Sequence, residues 1–587
     1  MGRTASPAPR RHAVLLACGV AGLLGTVLAP GSAGAQEAAS APRPELFTQA
    51  VDVRVVNVDV YATDRKGRPV TGLVRDDFLL EADGEPVPIA YFYSSAAGDA
   101  APEEREIVEV GDDGSRAAAR TDDPLVVLYL DNYWLLSSDR QRILDDLERF
   151  VAAQAESGVR FLVASHDPGL RIRTGVTRDP AIVLAALAAQ ADEPAQGASA
   201  RRDHSGAYTA VHAIYQNYLG ARTCPDPCTC GRHQMMGVWE SYVANASHRI
   251  GVATAALQEL LAALSGIPDR KAVLYVGSGF DQRPGLDLLQ HLIELCPEFE
   301  REFATYMQRY DEGPALLELG AEANASRVTF YPLDAGGLRA DGAATVDAAD
   351  ARLRPSAFVS RIRRANLEAG FEIMASSTGG RAILDANEPF AELLELGSDF
   401  RHVYALGFEP PGPPDGRSHR LRVALREPRP GVELRFRQSY VDKPLDRRLV
   451  ERAIATMTLG DESNPLGVSA RLGAITTLAP AVIQVPVEVD VDISSLELVP
   501  GADGARVGRF RVFLAARAAA GGRTTVREKF FDVTAAGLAA GVESIVVNIN
   551  LEPGPYTIAV GVRDEIGTET SYLALETPGT ADPAPPT

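Results

Sequence analysis

Basic charge is scarce in this chain. Its 58 Lys and Arg stand against 78 Asp and Glu, a formal charge of −20 over 587 residues. That balance opposes nonspecific attraction to nucleic acid or anionic lipid, so no nucleic-acid partner is expected. Long apolar runs are missing too: past the N-terminus, nothing approaches the roughly 18 consecutive apolar residues of a membrane span. Catalytic motifs are also absent. The sequence has no His-Glu-x-x-His, no Gly-x-x-x-x-Gly-Lys, and no Gly-x-Gly-x-x-Gly after its first buried strand. Ser278 sits in Val276-Gly277-Ser278-Gly279-Phe280, without the Gly-x-Ser-x-Gly spacing of a nucleophile elbow. Ser165, His166 and Asp167 are neighbours in "SHDPG", but consecutive residues at a strand end point in different directions. No catalytic constellation emerges, and the chain reads as a non-enzyme.

Cysteine is sparse, with five in all. Cys18 lies in "RRHAVLLACGVAGLLGTVLAPGSAGAQ", where Arg10 and Arg11 precede an apolar run that ends in Ala33-Gly34-Ala35. This is the pattern of a secretory signal over residues 1–35, cut before Gln36. Its loss removes three arginines and leaves −23. "LLAC" also fits a lipid-attachment box, but the stretch between His12 and Cys18 is short for one, so ordinary cleavage is favoured. The expected location is outside the cytoplasm: periplasm, medium or cell surface. Cys224, Cys228, Cys230 and Cys296 remain. In "TCPDPCTCGRH" three thiols and His233 could serve zinc. Export favours disulfides instead, and the even number permits two, with the pairing open.

A chain this long needs several cores. After a linker at 36–50, residues 51–93 alternate apolar and polar side chains and predict a small β module, with Asp83-Gly84 as a hairpin turn. Residues 94–123 are acidic and rich in alanine and glycine, a linker. From 124 to 445 strands and helices alternate. "LVVLYLD", "RFLVASHD", "RIRTGVT", "KAVLYVGSGFD", "RVTFYPLDAGGL" and "FRHVYALGFEP" read as strands of one sheet. Ser138 with Gln141 forms a candidate capping box, Pro180 opens a helix, and Gly379-Gly380 stops another. A polar, cysteine-bearing insertion at 191–232 interrupts the alternation. Such a pattern predicts an α/β fold: a doubly wound, mostly parallel sheet with helices on both faces. Leu421, Val423 and Leu425 face Val432, Leu434 and Phe436 across "PRPG", a predicted hairpin on that domain. A helical connector at 446–474 leads to a C-terminal β-sandwich at 475–576 and a disordered tail at 577–587. The sequons at Asn245 and Asn324 fall in helical context and read as chance matches.

The segments "VYATDRKGRPVTGLVRDDFLLEADGEPVPI", "VVLYLDNYW", "RKAVLYVGSGFD", "VTFYPLDAGGL", "ASSTGGRAI" and "YALGFEP" followed by "DGRSHRLRVALREP" keep a definite order. In that order the region from about 51 to 442 resembles exported bacterial proteins with a domain related to the von Willebrand factor type A domain. The resemblance implies a Rossmann-like sheet and contact with a protein partner at the C-terminal edge of its strands, often through a divalent cation. The usual first loop there is Asp-x-Ser-x-Ser, whose oxygens suit the octahedral demands of Mg2+. Here Asp131 fits, but Tyr133 and Leu135 stand at the serine positions. A second family aspartate after the fourth strand corresponds to Ser278 in Gly277-Ser278-Gly279. Asp281 could reach inward, but is read as solvated or helix-capping, and the usual threonine ligand has no identified counterpart. The expectation is a degenerate metal site, with Asp131 as a carboxylate that accepts loop N–H groups, and a metal-independent binding or scaffolding protein. The alternative is metal-dependent binding, with Mg2+ near Asp131, Ser278 and Asp281, or Zn2+ at the cysteines.

Overall fold

The computed structural model describes residues 54–95, 124–155, 157–167, 169–338, 355–501, 506–519 and 524–577. The signal segment with Cys18, the 36–50 segment, the linker beyond Ser95 and the tail after Thr577 lie outside the described residues.

Alternating side chains build the first strands, β1 (Val56–Asp64), β2 (Phe78–Ala82), β3 (Glu85–Pro86) and β4 (Tyr91–Ser94). Asp83 and Gly84 join β2 to β3 with positive φ at both, as a two-residue hairpin turn demands.

The α/β part follows: β5 (Leu125–Leu130), α1 (Ser137–Gln154), β6 (Arg160–His166), β7 (Leu170–Ile172), α2 (Pro180–Gln190), α3 (Gly197–Leu219), α4 (Pro227–Leu264), β8 (Lys271–Gly277), α5 (Leu286–Leu295), α6 (Glu300–Arg309), α7 (Gly313–Ala325), β9 (Val328–Asp334), α8 (Ala357–Thr378) and α9 (Phe390–Arg401). Its strands form one sheet in the order β7-β6-β5-β8-β9, parallel except for the β6–β7 pair. All of β5 and β8 is buried, which is why both read as unbroken apolar runs. Val127 and Tyr129 point into a core shared with α4, α7 and α8; Val126 and Leu128 point into the opposite one, with α1, α2 and α9.

Helix ends follow local chemistry. Pro180 opens α2 behind Asp179, whose carboxylate accepts from the Ala181 N–H, and α8 stops at Gly379 with φ 81°. The Ser138–Gln141 capping box does not form. The first residue of α1 is Ser137, which places Ser138 inside the first turn, where its hydroxyl meets the Asp139 carboxylate at 3.4 Å. The 191–232 interruption is largely helical, because Gly197 starts α3 and Asp226 caps α4 ahead of Pro227.

Two expectations about the later strands are corrected. β10 (Tyr404–Phe408) is not in the central sheet but lies between β1 and β4. β11 (Ser418–Leu425) and β12 (Val432–Phe436) do not form a hairpin, since β11 pairs with β2 and with β13 (Ser439–Val441), whereas β12 pairs with β1. The result is two antiparallel sheets, β12-β1-β10-β4 and β13-β11-β2-β3, around a common core of Val58, Phe78, Leu406, Phe408, Leu421 and Val423. The apolar faces of β11 and β12 do meet, but through the interior rather than side by side, an arrangement that the same alternation permits. The α/β part is therefore inserted between β4 and β10.

α10 (Leu445–Leu459) leads to β14 (Ser469–Leu472), β15 (Thr476–Ala479), β16 (Val482–Asp492), β17 (Val499–Pro500), β18 (Arg506–Val507), β19 (Arg509–Ala518), β20 (Thr525–Asp532), α11 (Ala535–Ala540), β21 (Val542–Leu551), β22 (Tyr556–Asp564) and β23 (Thr570–Glu576). One sheet centres on β16, paired with β14, β15 and β21; the other has the order β20-β19-β22-β23, and alternate side chains of both fill one core. α10 joins this region to the α/β part. Leu449 and Ala453 pack on Phe513 and Ala559, while Ala455 and Leu459 enter the core beneath the central sheet. Asp461, just past α10, is bound by Arg452 and lies 3.7 Å from Arg160 of β6.

Candidate functional site

At the C-terminal ends of β5, β6 and β8 the parallel register sets Leu130 beside Ser165 and Val276. The next residues therefore converge. Asp131 is fully buried; its Oδ1 lies 3.0 Å from His166 Nδ1, and Tyr275 donates its hydroxyl to Oδ2. The carboxylate thus meets side-chain donors of two neighbouring strands, not the loop N–H groups anticipated. The Asp131 carbonyl does hold the loop, accepting from Trp134 N at 3.1 Å and Leu135 N at 2.9 Å. Tyr129 stacks on Tyr275 and Tyr133 tilts over His166, ring centroids 5.6 and 5.0 Å apart, so aromatic surface surrounds the carboxylate.

The loop is covered as well. The α2–α3 connection lies over it, with Gln196 N donating to the Asn132 carbonyl at 2.8 Å and Gly197 N to the Leu135 carbonyl at 3.0 Å. Glycine is required at 197, since a Cβ would fall 2.2 Å from the Trp134 carbonyl oxygen. Buried Arg140 secures the connection by donating to Asn132 Oδ1 and to the Ala191 carbonyl, both at 3.0 Å. Beside this cover lies a pocket of about 330 Å³ lined by Asp167, Arg171, Arg173, Glu193, Pro194 and Gln196. Arg173 binds Ser165, Glu193 and Asp167 at 2.8, 2.9 and 2.6 Å, whereas exposed Arg171 makes no ion pair among the described residues. Ser165 and Asp167 thus face Arg173, and His166 faces the other way.

Of the other sequence candidates, Ser278 is half-buried just past β8. Asp281 is buried rather than solvated, with Oδ1 accepting from Asn366 Nδ2 of α8. The hydrogen bonds of Asp131 and Asp281 thus run to different partners. Among the described residues no group of three or more His, Cys, Asp or Glu is placed to hold a metal ion. The cysteines form two bridges, Cys224–Cys230 and Cys228–Cys296, which resolves the open pairing. Zinc at that cluster would require breaking them. The longer bridge ties the start of α4 to the end of α5, and a loop of that size is worth about 2–4 kcal/mol.

Burial pushes Asp281 up to about 7 despite nearby Arg363. The sign follows from the raised value: the neutral acid stabilises the fold fully below the unfolded value of 3.8, and that contribution is lost as pH rises through about 7. Asp281→Asn keeps the acceptor for Asn366 and removes the ionisation. In urea unfolding between pH 4 and 8 the variant should match the parent at the acid end and exceed it above pH 7, by roughly 1–3 kcal/mol.

No protein-family profile and no curated protein matches the chain. Some solved structures do. Conserved hypothetical protein BatB from Bacteroides thetaiotaomicron is 12% identical over 47% of this chain and 98% of that one, with a TM-score of 0.23. Proximal thread matrix protein 1 of the mussel byssus is 11% identical over 47% of this chain and 48% of its own, at 0.21. The pilus adhesin SpaC from Lactobacillus rhamnosus GG, in an open conformation, is 8% identical over 78% and 53%, at 0.25. Likeness this slight carries no argument about fold or function. No helix among the described residues is long and apolar enough to cross a membrane.

Sequence reasoning found Asp131 but missed its partners. Tyr275, a tyrosine in an otherwise apolar strand, was the available signal, because a buried phenol usually finds an acceptor. It also missed a buried set of His204, Tyr208, His212, Asp287 and His291, although their four-residue spacing on two helices is visible in the sequence.

Proposed function

We propose that this is an exported, non-enzymatic binding or scaffolding protein. Its α/β part is a type A-like domain with a degenerate metal site, and it contacts a protein partner through the loop edge beside Asp131 without a cation. A β-sandwich at the C-terminal end frames that domain. The observation that carries this reading is the occupancy of the Asp131 carboxylate. A cation ligand needs a free oxygen lone pair and neighbouring oxygen donors. Here His166 and Tyr275 each engage one oxygen of a fully buried carboxylate, and Tyr133 and Leu135 offer no hard ligand in place of serine to complete a shell. The exposed rim of Arg171 with Asp167 and Glu193 supplies polar contacts of the kind found at the edges of protein interfaces. The two disulfides fit an oxidising compartment.

Metal analysis of the purified chain, with thermal melting in millimolar Mg2+, Mn2+ and Ca2+, tests the reading. A bound ion raises Tm by mass action, so the expected shift is below about 1 °C in each case. Stoichiometric magnesium or manganese with a rise of several degrees would overturn it.

A further inference from the structure

α3 and α5 meet along a polar seam. His204, Tyr208 and His212 recur every four residues on α3 and so share one face, as do Asp287 and His291 on α5. His204 Nε2 lies 2.6 Å from Asp287 Oδ2, and Tyr208 donates its hydroxyl to the same oxygen at 3.1 Å. One turn on, His212 Nε2 and His291 Nε2 are 2.7 Å apart, with both residues at most 5% exposed. At that separation the two nitrogens share a single hydrogen: one ring donates and the other accepts with a bare nitrogen. One added proton gives an imidazolium that still donates to its neutral partner; only when both rings are protonated do two N–H groups point at each other and two cations meet, away from water.

We propose that this seam is a proton-operated latch, docking α3 on α5 in neutral medium and loosening α3 when both rings of the His212–His291 pair are protonated.

The surroundings decide how the added charge is received. From α3 the pair faces Tyr208, and from α5 Asp287 lies nearby, with Glu294 Oε2 at 3.9 Å from His291 Nδ1; one turn back, His204 meets Tyr242 of α4 and Asp287 meets Arg363 of α8. Asp287 is already engaged by His204, Tyr208 and Arg363, and the half-exposed Glu294 is beyond hydrogen-bonding reach. Burial, then the neighbouring His212, lowers His291 to about 4, with Asp287 opposing. A histidine lowered in this way contributes stability that is complete above its unfolded value of 6.5 and lost as pH falls towards 4. The movement is confined to α3, because Cys228–Cys296 fastens α4 to α5 and Cys224–Cys230 closes the turn behind α3.

Amide hydrogen exchange on the full chain with its disulfides intact tests the latch. After correction for the intrinsic rate, peptides covering 204–219 should exchange at least about tenfold faster at about pH 4 than at about pH 7, while those of β8 keep their protection. His212→Gln keeps a neutral partner for His291 and should cut the acceleration to below about twofold. Equal acceleration in β8, no acceleration in α3, or an unchanged response in the variant would each overturn the proposal. If the variant does not fold, NMR titration of the parent imidazoles decides. Coupled steps for His212 and His291 support the latch, and independent titration at ordinary values rejects it.

Discussion

A chain that begins at residue 124, without β1 to β4, is expected to lose cooperative folding in its β part and to aggregate. β1 is an interior strand, pairing Val56 through Val60 with β10 and Val60 through Asp64 with β12. Its removal together with β4 strips β10 of both neighbours, and β12 loses its ladder partner. Tyr404, Leu406, Phe408, Leu421, Val423 and Tyr440, all at most 6% exposed, would then face water. At about 1.5–3 kcal/mol for each large apolar side chain, the loss is on the order of 10 kcal/mol, comparable to the stability of a whole domain. Two open strand edges add a template for aggregation. Size-exclusion chromatography and thermal melting of a 124–587 chain decide the matter. A soluble monomer melting within a few degrees of the full chain would show that the inserted part does not need the first strands.

That result bears on what could be read from the sequence. The alternation of buried strands with helices is local, and so are Pro180 at the head of α2, Gly379 behind α8 and the Asp83-Gly84 turn; each is set by residues a few positions apart. Partner choice is not local. "FRHVYALGFEP" is apolar enough for a central strand, and nothing within it says that its partners lie some 350 residues upstream in β1. The β11–β12 segment shows the same limit. Its alternation fixes which side chains go inward, but two inward faces can be neighbours in a sheet or opposite each other across a core. At the candidate site, Asp131 was legible because it ends a buried strand. His166 and Tyr275 reach it through the register of three parallel strands, which no short stretch encodes. The His204–His212 stripe has helical spacing, but a polar stripe reads as a solvent-facing side until α5 is known to cover it.

Replacing Asp131 with alanine is expected to destabilise the fold by about 3–5 kcal/mol even in chelator, because it leaves His166 and Tyr275 buried without their acceptor. Denaturant unfolding with EDTA present is the measurement, and the chelator makes it discriminating. If Asp131 were a metal anchor, the metal-free protein would carry a buried carboxylate lacking its cation. Alanine would then relieve that charge and be neutral or stabilising. If the carboxylate instead serves the protein's own donors, alanine is harmful whether or not metal is present. Asp131→Asn sharpens the comparison, since its amide oxygen still accepts from Tyr275 and its nitrogen can donate to the His166 ring. A cost of about 1–2 kcal/mol is expected for it, between the parent and alanine. An alanine variant within about 0.5 kcal/mol of the parent in EDTA would mean that the hydrogen bonds around Asp131 do not stabilise the fold. With that, the metal-independent reading of the loop edge would lose its support.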